Sequence, residues 1–413
     1  MDFSESPKAC ELRERFAVFF EQQVLPRHRE WHASVVVRRE PAAFLPALRA
    51  AARAEGLWNL ALPDLGSDEP GTRLSNLEFS GLCEIMGRLP WAPEVFNCQA
   101  PDVPNMILLQ HLATPEQKRQ WLRPMLEGAA KSAFALTEPE RASSDATNVD
   151  TRIERCGDRY IINGRKWYIT GAAHPDCSFV IVVGRSNPEA ERTRQHSAVI
   201  VPMDSQGLRM LRPLRFMGWE DPVAPIGELE FRDVEVPAEN LLGQEGAGFS
   251  GSQTRLGPAR IHHCMRQIGL AEVLVALMIA RARERRTFGR AVIDYDSVQQ
   301  SIAESRVEIE QARLMVQRTA WLIDQQGHRG SWRDVSISKI AVPRMLQKIA
   351  DRATQIFGAM GGSDQVPIHQ AYAYARGLRI GDGPDEVHLR QIFRTEAGPA
   401  WSIADSPYVL PAA

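Results

Sequence analysis

The spacing of hydrophobic residues along this 413-residue chain changes twice and divides it into three parts. In the first part, up to about residue 130, apolar residues recur at helical spacing, and Leu12, Phe16 and Val24 share one face of a helix. Further helices are predicted over 42–55, over 74–87 and, after an N-cap at Thr114, up to residue 126. The proline-rich stretch 90–104 predicts a loop. This part is therefore predicted to be an all-α domain covering 1–130.

In the second part, residues 131–241, short runs of β-branched and aromatic residues alternate with turn residues. This pattern predicts a compact antiparallel β domain, either a small barrel or a sandwich. Asn163-Gly164 lies between two such runs and is the strongest hairpin signal in the chain. The stretch 185–196 predicts a polar loop.

The third part, residues 242–413, returns to helical spacing. Long helices are predicted over 249–286, 297–326 and 335–357. In the second of these, Ile302, Ile309, Val316 and Ile323 lie seven residues apart. Such a sustained repeat indicates packing against neighbouring helices in an antiparallel bundle.

Composition narrows the class of protein. A content of 44% hydrophobic and 24% charged residues is typical of a soluble globular protein. A net charge of −2 argues against a nucleic-acid or anionic-membrane surface. Six cysteines without a C-x-x-C pair indicate reduced thiols. The N-terminus resembles neither a signal nor a transit peptide, and the apolar run 273–280 is shorter than the roughly 18 residues that a membrane span needs. We predict a cytoplasmic protein, or an organelle-matrix protein in a eukaryote.

One stretch near the C-terminus concentrates candidate chemistry. Residues 379–388 place a single carboxylate, Asp382, on a glycine-flanked turn between two helical patterns. Alone, Asp-Gly-Pro is ordinary turn chemistry and predicts a structural turn. The histidine pair His262-His263 does not predict a metal site, because adjacent helical residues point in different directions and no carboxylate cluster accompanies them. No strand-associated G-x-G-x-x-G, G-x-S-x-G or P-loop motif is present.

Several further motifs occur in a fixed order. They occupy residues 134–145, 163–171, 231–237, 242–249, 285–289 and 355–359. Together with 379–388 they resemble the acyl-CoA dehydrogenase flavoprotein family from about residue 57 to residue 394. The similarity is greatest to the branch of family members ten and eleven, which shares 56–60, 97–102, 257–266 and 382–388.

The resemblance implies a fold and an activity. The fold is an all-α N-terminal domain, a central antiparallel β-barrel domain and a C-terminal four-helix-bundle domain. The activity is FAD-dependent oxidation of an acyl-CoA to trans-2-enoyl-CoA, as in fatty acid beta-oxidation, with an electron-transferring flavoprotein as acceptor. The protein would be a homodimer or homotetramer with FAD at the subunit interface.

The resemblance also implies cofactor-binding residues. Phe134, Leu136 and Thr137 would meet the pyrimidine edge of the flavin, and Thr170 would lie near N5. The further residues assigned to FAD are Ser143, Tyr168, Ile169, Arg285, Thr287, Phe288, Gln355, Gly358, Ala359, Gly383 and Asp385. Those from 285–288 and 355–359 would reach the FAD of a neighbouring subunit. Without the resemblance, Tyr168 is read as a core aromatic and 355–359 as a glycine-broken helix.

Asp382 falls where relatives carry the glutamate that acts as catalytic base. It would remove the α-proton while a hydride leaves the β-carbon for flavin N5. The thioester carbonyl would accept hydrogen bonds from the FAD ribityl hydroxyl and a backbone N–H near the base. Burial beside an acyl chain predicts a raised Asp382 pKa. A turn cap or a degraded site remain alternatives for this residue.

Three residues are assigned to the substrate. Ser144 would lie near the flavin pyrophosphate or the CoA arm. Gly381 replaces a bulky aromatic of many relatives, which predicts a roomier pocket for branched, long or hydroxylated acyl groups. Arg260 matches an active-site arginine, but its usual acidic partner is replaced by Gly257, so it would contact either substrate or Asp382.

Two other functions remain open from sequence. An acyl-CoA oxidase, or another flavin oxidase on this fold, would differ in the oxygen reactivity of its reduced flavin. A catalytically silent scaffold or nucleic-acid binder would bind no reactive acyl-CoA, although the near-neutral charge argues against nucleic acid.

Overall fold

The computed structural model describes residues 3, 6–398 and 408–409. Its N-terminal region is helical, as predicted. The α-helices of this region are α1 (Pro7–Phe19), α2 (His28–Trp31), α3 (Leu45–Ala54), α4 (Asn76–Met86), α5 (Ala92–Val95), α6 (Asp102–Leu112), α7 (Pro115–Gln117) and α8 (Arg123–Leu126). Turns of π-helix extend the run at Phe20–Val24, His32–Arg38 and Lys118–Leu122.

Local sequence signals account for most of these boundaries. Ser75 and Glu78 form a capping box at the start of α4, in which each side chain accepts a hydrogen bond from the other residue's backbone N–H. Thr114 and Gln117 form the same arrangement at α7, which confirms the predicted N-cap. The predicted loop 90–104 is wrong in two places, because α5 occupies Ala92–Val95 and α6 begins at Asp102. Pro104 lies in the first turn of α6, where the missing N–H breaks no helical hydrogen bond.

The central region forms one seven-stranded sheet. Its strands are β1 (Lys131–Ala135), β2 (Arg152–Cys156), β3 (Arg159–Ile169), β4 (Cys177–Arg185), β5 (His196–Pro202), β6 (Leu208–Leu214) and β7 (Ile226–Pro237). The order is β1-β4-β2-β3-β7-β6, with β5 also paired to β4. β4 pairs in parallel with β1 and, at one position, with β2. The sheet is therefore mixed, which corrects the wholly antiparallel prediction, because the chain crosses over between β1 and β4.

The predicted hairpin also lies elsewhere. β2 and β3 are joined at Gly157-Asp158, with Arg152 opposite Asn163. Asn163-Gly164 instead lies inside β3, where the register against β7 shifts. The Asn163 side chain and the Asp233 side chain and backbone exchange hydrogen bonds of 2.9 and 3.0 Å across this irregularity. The Asn-Gly pair thus marks a bulge rather than a turn, a use that glycine also permits.

The C-terminal region is a helical bundle. Its helices are α9 (Gly248–Glu284), α10 (Asp296–Gly330), α11 (Trp332–Phe357), α12 (Ile368–Leu378) and α13 (Asp385–Glu396). A short hairpin of β8 (Arg286–Thr287) and β9 (Arg290–Ala291) connects α9 to α10. Ile309, Val316 and Ile323 of the seven-residue repeat are buried, which confirms the predicted packing face of α10.

Helix α9 joins the regions to one another. It packs against α10 and α11 of the bundle and against α4 and α6 of the N-terminal region. Gly269 of α9 allows α4 to approach closely, since a Cβ there would overlap the carbonyl oxygen of Glu84 and lie 2.9 Å from its carbon. Gly87, just after α4, meets the Arg266 backbone in the same way. Small residues on both sides therefore set the distance between these helices.

Part of α9 resembles a membrane span in length and composition. Within the described residues, one such segment is found, Ala259–Glu284. Just over half of this segment, 56%, is buried inside the protein, and the helix packs against α4, α10 and α11. We therefore interpret it as the core helix of the bundle.

Candidate functional site

A large cavity lies where the three regions meet. Its volume is about 2200 Å³, well above the roughly 300–1,000 Å³ of a typical small-molecule pocket. Many of the predicted site residues line it: Phe134, Leu136, Thr137, Ser143, Ser144, Tyr168, Ile169, Thr170, Arg260, Gly381, Asp382 and Gly383. The ends of β1 and β3, helix α9 and the turn between α12 and α13 thus contribute to one site.

The turn that carries Asp382 is held by three basic side chains. Asp382 has a φ of 55°, a left-handed conformation that aspartate tolerates better than most residues. Its carbonyl oxygen accepts a hydrogen bond from Arg260 Nε at 2.8 Å and lies 3.4 Å from His388 Nε2. Lys339 Nζ donates to the Gly381 carbonyl at 2.8 Å and also to the Leu378 carbonyl. These donors, from α9, α11 and α13, fix the backbone of the turn.

The Asp382 carboxylate is 20% exposed and borders the cavity. Burial alone would raise its pKa, but the nearby basic groups of His263, Lys339, Arg255 and Arg260 lower it below its usual value. The predicted rise in pKa depends on burial beside an acyl chain and stays a prediction. At neutral pH the arginines are more important than His263, because burial lowers the pKa of His263 to about 4. Asp382 is consequently ionised and able to accept a proton.

Arg260 contacts the backbone of Asp382 rather than an acidic side chain. A Cβ at position 257 would lie 2.8 Å from His328 Nδ1 and 3.0 Å from His328 Cγ. The His328 ring thus fills the space where an acidic partner of Arg260 would stand. Of the two roles left open from sequence, the structure contains the contact with Asp382.

The segment that follows β1 is fixed by a buried ion pair. Lys166 Nζ lies 2.9 Å from Glu138 Oε1 and donates to the carbonyls of Leu136 and Val183 at 2.7 Å. The Glu138 carboxylate also accepts two backbone N–H groups, that of Asp150 at Oε2 and that of Thr151 at Oε1. Lys166 is fully buried, and burial lowers its pKa to about 8. This network sets the position of the Leu136 backbone at the cavity wall.

Two predicted flavin contacts have a definite local geometry. The Thr137 hydroxyl donates to the Trp167 carbonyl, and Trp167 N–H donates to the Thr137 carbonyl at 3.0 Å. The Thr137 hydroxyl proton is therefore committed within the protein, while its oxygen can still accept. Tyr168 has a φ of 51° at a register shift in β3, and its side chain is 42% exposed. It is not the core aromatic of the alternative reading.

Other predicted cofactor residues lie outside the cavity. Among them, Arg285, Thr287 and Phe288 lie at the hairpin after α9, and the Phe288 side chain is 96% exposed. Gln355, Gly358 and Ala359 lie at the C-terminal end of α11. The stacking of Arg281 on Phe357, at 5.5 Å, places the two groups at the same end of the bundle.

The Asp385 side chain does not line the cavity. It is buried, and its carboxylate accepts hydrogen bonds from Arg344 and from Arg379, the latter at 2.9 Å. Both arginines neutralise the Asp385 carboxylate, and the assignment of Asp385 to FAD binding stays a prediction. Its role is to anchor the first turn of α13 below Asp382.

Several residues at the site were not predicted. These are Glu138, Lys166, Arg255, His263, Lys339, Tyr374 and His388. His263 had a usable signal, since it lies three residues after Arg260 and therefore on the same face of α9. His262 points elsewhere and packs edge-on against Phe79, as expected for adjacent helical residues. Lys339 had no local signal, because only the packing of α11 brings it to the turn.

The cavity lining is compatible with FAD. Backbone and hydroxyl groups at Thr137, Ser143 and Thr170 can meet a polar ring edge, and Tyr168 can cover a ring face. Arg141, Arg192, Arg390 and Arg394 also line the cavity and suit phosphate groups. The volume leaves room for a second large ligand beside the dinucleotide.

Comparison with known proteins identifies the family. The chain matches the family models for the N-terminal, middle and C-terminal domains of acyl-CoA dehydrogenases over residues 6–129, 133–234 and 246–396. It is 45% identical to FadE2 of Mycobacterium tuberculosis over 96% of this chain and 97% of that one. Acyl-CoA dehydrogenase family member 11 of Gallus gallus is 44% identical over 95% of this chain, which spans only 51% of that longer relative.

Solved structures agree. A structure from Mycobacterium abscessus, assigned to the acyl-CoA dehydrogenases, is 42% identical and has a TM-score of 0.89 over 95% of this chain and 98% of that one. The three-domain fold predicted from sequence is confirmed. The chain therefore belongs to the acyl-CoA dehydrogenase family, a family of oxidoreductases, and FAD is its cofactor.

Proposed function

We propose that the protein catalyses α,β-dehydrogenation of an acyl-CoA thioester to a trans-2-enoyl-CoA, with Asp382 as the base. The observation that carries this proposal is the ionised carboxylate of Asp382 on the cavity wall, with its backbone fixed by Arg260 and Lys339. A base with a lowered pKa is present in its reactive form throughout the neutral range. FAD, when bound, supplies the hydride acceptor.

The chain's own residues would divide the remaining work. Asp382 takes the α-proton, and its fixed turn keeps the carboxylate at one position relative to the thioester. The buried Lys166–Glu138 pair holds the Leu136 backbone where the flavin ring would lie. Ser144 and the arginines lining the cavity are candidates for the phosphates of the CoA arm.

The acyl group would be accommodated beside Gly381. A Cβ at this position would meet only the Gly377 carbonyl oxygen, at an ordinary 3.5 Å. The absence of a side chain there leaves space next to the base. We propose that branched, long or hydroxylated acyl groups use this space.

Subunits would complete each other's cofactor sites. Phe288 is almost fully exposed on its hairpin, and Gly358, with a φ of 65°, has open space around it. Both features suit contact with the FAD of a second subunit in a homodimer or homotetramer. Ala359 replaces a glycine of relatives and sets how closely that FAD can approach. We further propose an electron-transferring flavoprotein as acceptor, a place in fatty acid beta-oxidation and a cytoplasmic or matrix location.

The test is an anaerobic titration of the purified flavoprotein with straight, branched and hydroxylated acyl-CoAs. Reduction of the flavin is monitored by the loss of its absorbance at about 450 nm, where oxidised flavins absorb. Wild type should bleach with at least one of them, whereas Asp382→Asn, which keeps the shape but not the charge, should not. Equal bleaching in both would exclude Asp382 as the base. Rapid reoxidation of the bleached enzyme by oxygen would instead favour an acyl-CoA oxidase. No bleaching in either, with FAD bound, would favour a silent scaffold.

A further inference from the structure

His263 is the basic side chain nearest to the reactive atoms of Asp382. Among the residues that the structure describes, His263 is the one whose basic nitrogen lies within 4 Å of the carboxylate. The distance from His263 Nε2 to Asp382 Oδ2 is 3.6 Å. Arg260, Lys339 and His388 bind backbone carbonyls of the turn instead. Of these four basic side chains in the described part of the chain, His263 is therefore the one placed to contact the carboxylate itself.

The other ring nitrogen of His263 is also engaged. Nδ1 lies 2.8 Å from the hydroxyl oxygen of Tyr374, on α12. Burial raises the pKa of Tyr374, so the hydroxyl keeps its proton and can donate it to Nδ1. Burial lowers the pKa of His263 to about 4, so the ring holds a single proton at neutral pH. If Tyr374 donates to Nδ1, that proton is on Nε2 and faces Asp382.

We infer that His263 is a positioning residue for Asp382. Tyr374 fixes the tautomer of His263 so that its Nε2–H points at the Asp382 carboxylate. This inference rests on the proposed function of Asp382 as the base. The distance of 3.6 Å is slightly longer than a hydrogen bond. Catalytic hydrogen bonds are often long in the absence of substrate and shorten when it binds. A donor there stabilises the ionised carboxylate and fixes which oxygen faces the substrate.

Other groups around Asp382 bear on the same charge. The titratable and charged groups that face it are Arg255, Arg260 and His263 on α9, Lys339 on α11, Tyr374 on α12 by way of His263, and His388 on α13. A substitution of His263 removes only the contact with the Asp382 carboxylate. Arg260 and Lys339 keep their hydrogen bonds to the backbone of the turn.

The inference is tested with three variants in the anaerobic half-reaction. His263→Leu removes the donor and fills the space, His263→Gln replaces it with an amide N–H near the position of Nε2, and Tyr374→Phe removes the tautomer-fixing hydroxyl. In His263→Leu the loss of the donor should raise the pKa of Asp382, so the acid limb of the pH profile of the flavin-reduction rate should move upward by about one pH unit. This is the effect expected for one hydrogen bond to a carboxylate. His263→Gln should restore the limb, and Tyr374→Phe should shift it less. Equal limbs in His263→Leu and His263→Gln would overturn the inference.

A second readout does not depend on reactivity with acyl-CoA. Nitrogen-15 NMR of histidine side chains distinguishes the two neutral tautomers. The signals that disappear in His263→Leu are those of His263. Wild type should have the proton on Nε2, and a proton on Nδ1 would overturn the inference. If no acyl-CoA reduced the flavin of wild type, the proposed function would fail. The tautomer measured by NMR would still show whether His263 directs Nε2–H at Asp382.

Discussion

Replacing Gly269 by alanine tests whether the α4–α9 contact sets the stability of the molecule. Alanine favours a helix by about 1 kcal/mol over glycine, so propensity alone predicts a more stable protein. The structure predicts the opposite. The added Cβ would overlap the Glu84 carbonyl oxygen and lie 2.9 Å from its carbon and 3.3 Å from Arg88 N, all of them backbone atoms that no rotamer change can move.

The size of the effect follows from the overlap. Carbon atoms pack best at about 3.5–4.0 Å, so the helices must separate by roughly 0.6 Å or more. A gap of about 0.5–1 Å forfeits a quarter to a half of the dispersion energy of the atoms that face it. Overpacking of this kind costs about 1–3 kcal/mol or more. Because the obstacle is backbone, we take about 3 kcal/mol, which leaves a net loss of about 2 kcal/mol after the gain in propensity.

The assay is guanidinium unfolding followed by circular dichroism. Gly377→Ala in α12 is the matched control, since its Cβ would meet only the Phe216 ring at 3.5 and 3.6 Å, an ordinary contact. The control should be as stable as wild type or up to about 1 kcal/mol more stable. Gly269→Ala should unfold at a lower denaturant concentration. A Gly269→Ala protein at least as stable as wild type would refute the reasoning, because α4 and α9 would then separate without loss.

Two further predictions concern the site, and a third concerns the pH dependence of stability. Lys166→Met leaves the Glu138 carboxylate buried without its partner and should lower the free energy of unfolding by about 3–5 kcal/mol in chemical denaturation. The double variant with Glu138→Leu should recover much of this loss, and additive effects of the two substitutions would contradict a coupled pair. Gly381→Tyr fills the space beside the base and should bias flavin bleaching towards short, straight acyl-CoAs; an unchanged chain-length and branching profile would exclude the proposed space. Burial lowers the His328 pKa to about 4 from 6.5, so the unfolded state binds more protons between these values and stability falls as the pH drops from 6.5 to 4. In His328→Asn the free energy of unfolding, measured by chemical denaturation, should depend less on pH in this range, by up to about 1.4 kcal/mol per pH unit. A pH profile identical to that of wild type would contradict this.

Sequence patterns located the parts of the site that lie on contiguous motifs. The glycines that flank Asp382 predict only a turn, and its assignment as the base comes from the resemblance to acyl-CoA dehydrogenase motifs. The same resemblance, and not the strand pattern, points to Leu136 and Thr137, which do line the cavity. The helices were found from the hydrophobic spacing itself, since the repeat from Ile309 to Ile323 faces the bundle core.

What sequence missed depends on packing between distant segments. Lys339 reaches the Asp382 turn across 42 positions of sequence, and Lys166 reaches Leu136 across 30. The lowered pKa of Asp382 could not be predicted for the same reason, because its charged neighbours come from separate helices. The parallel pairing of β1 with β4 and the bulge at Asn163 likewise follow from long-range register, where a strong local turn signal is outweighed.

Helix α9 both contributes side chains to the site and joins two regions of the molecule. It carries Arg255, Arg260 and His263 into the cavity, and through Gly269 it ties the N-terminal helices to the bundle. A disturbance at either place therefore reaches the other along a rigid rod. Release of flavin during heating should thus coincide with separation of the N-terminal region, so that cofactor retention reports on the joint between domains. Variation in substrate preference is expected to arise more easily on the α12–α13 turn than on α9, where a change would also loosen the whole molecule.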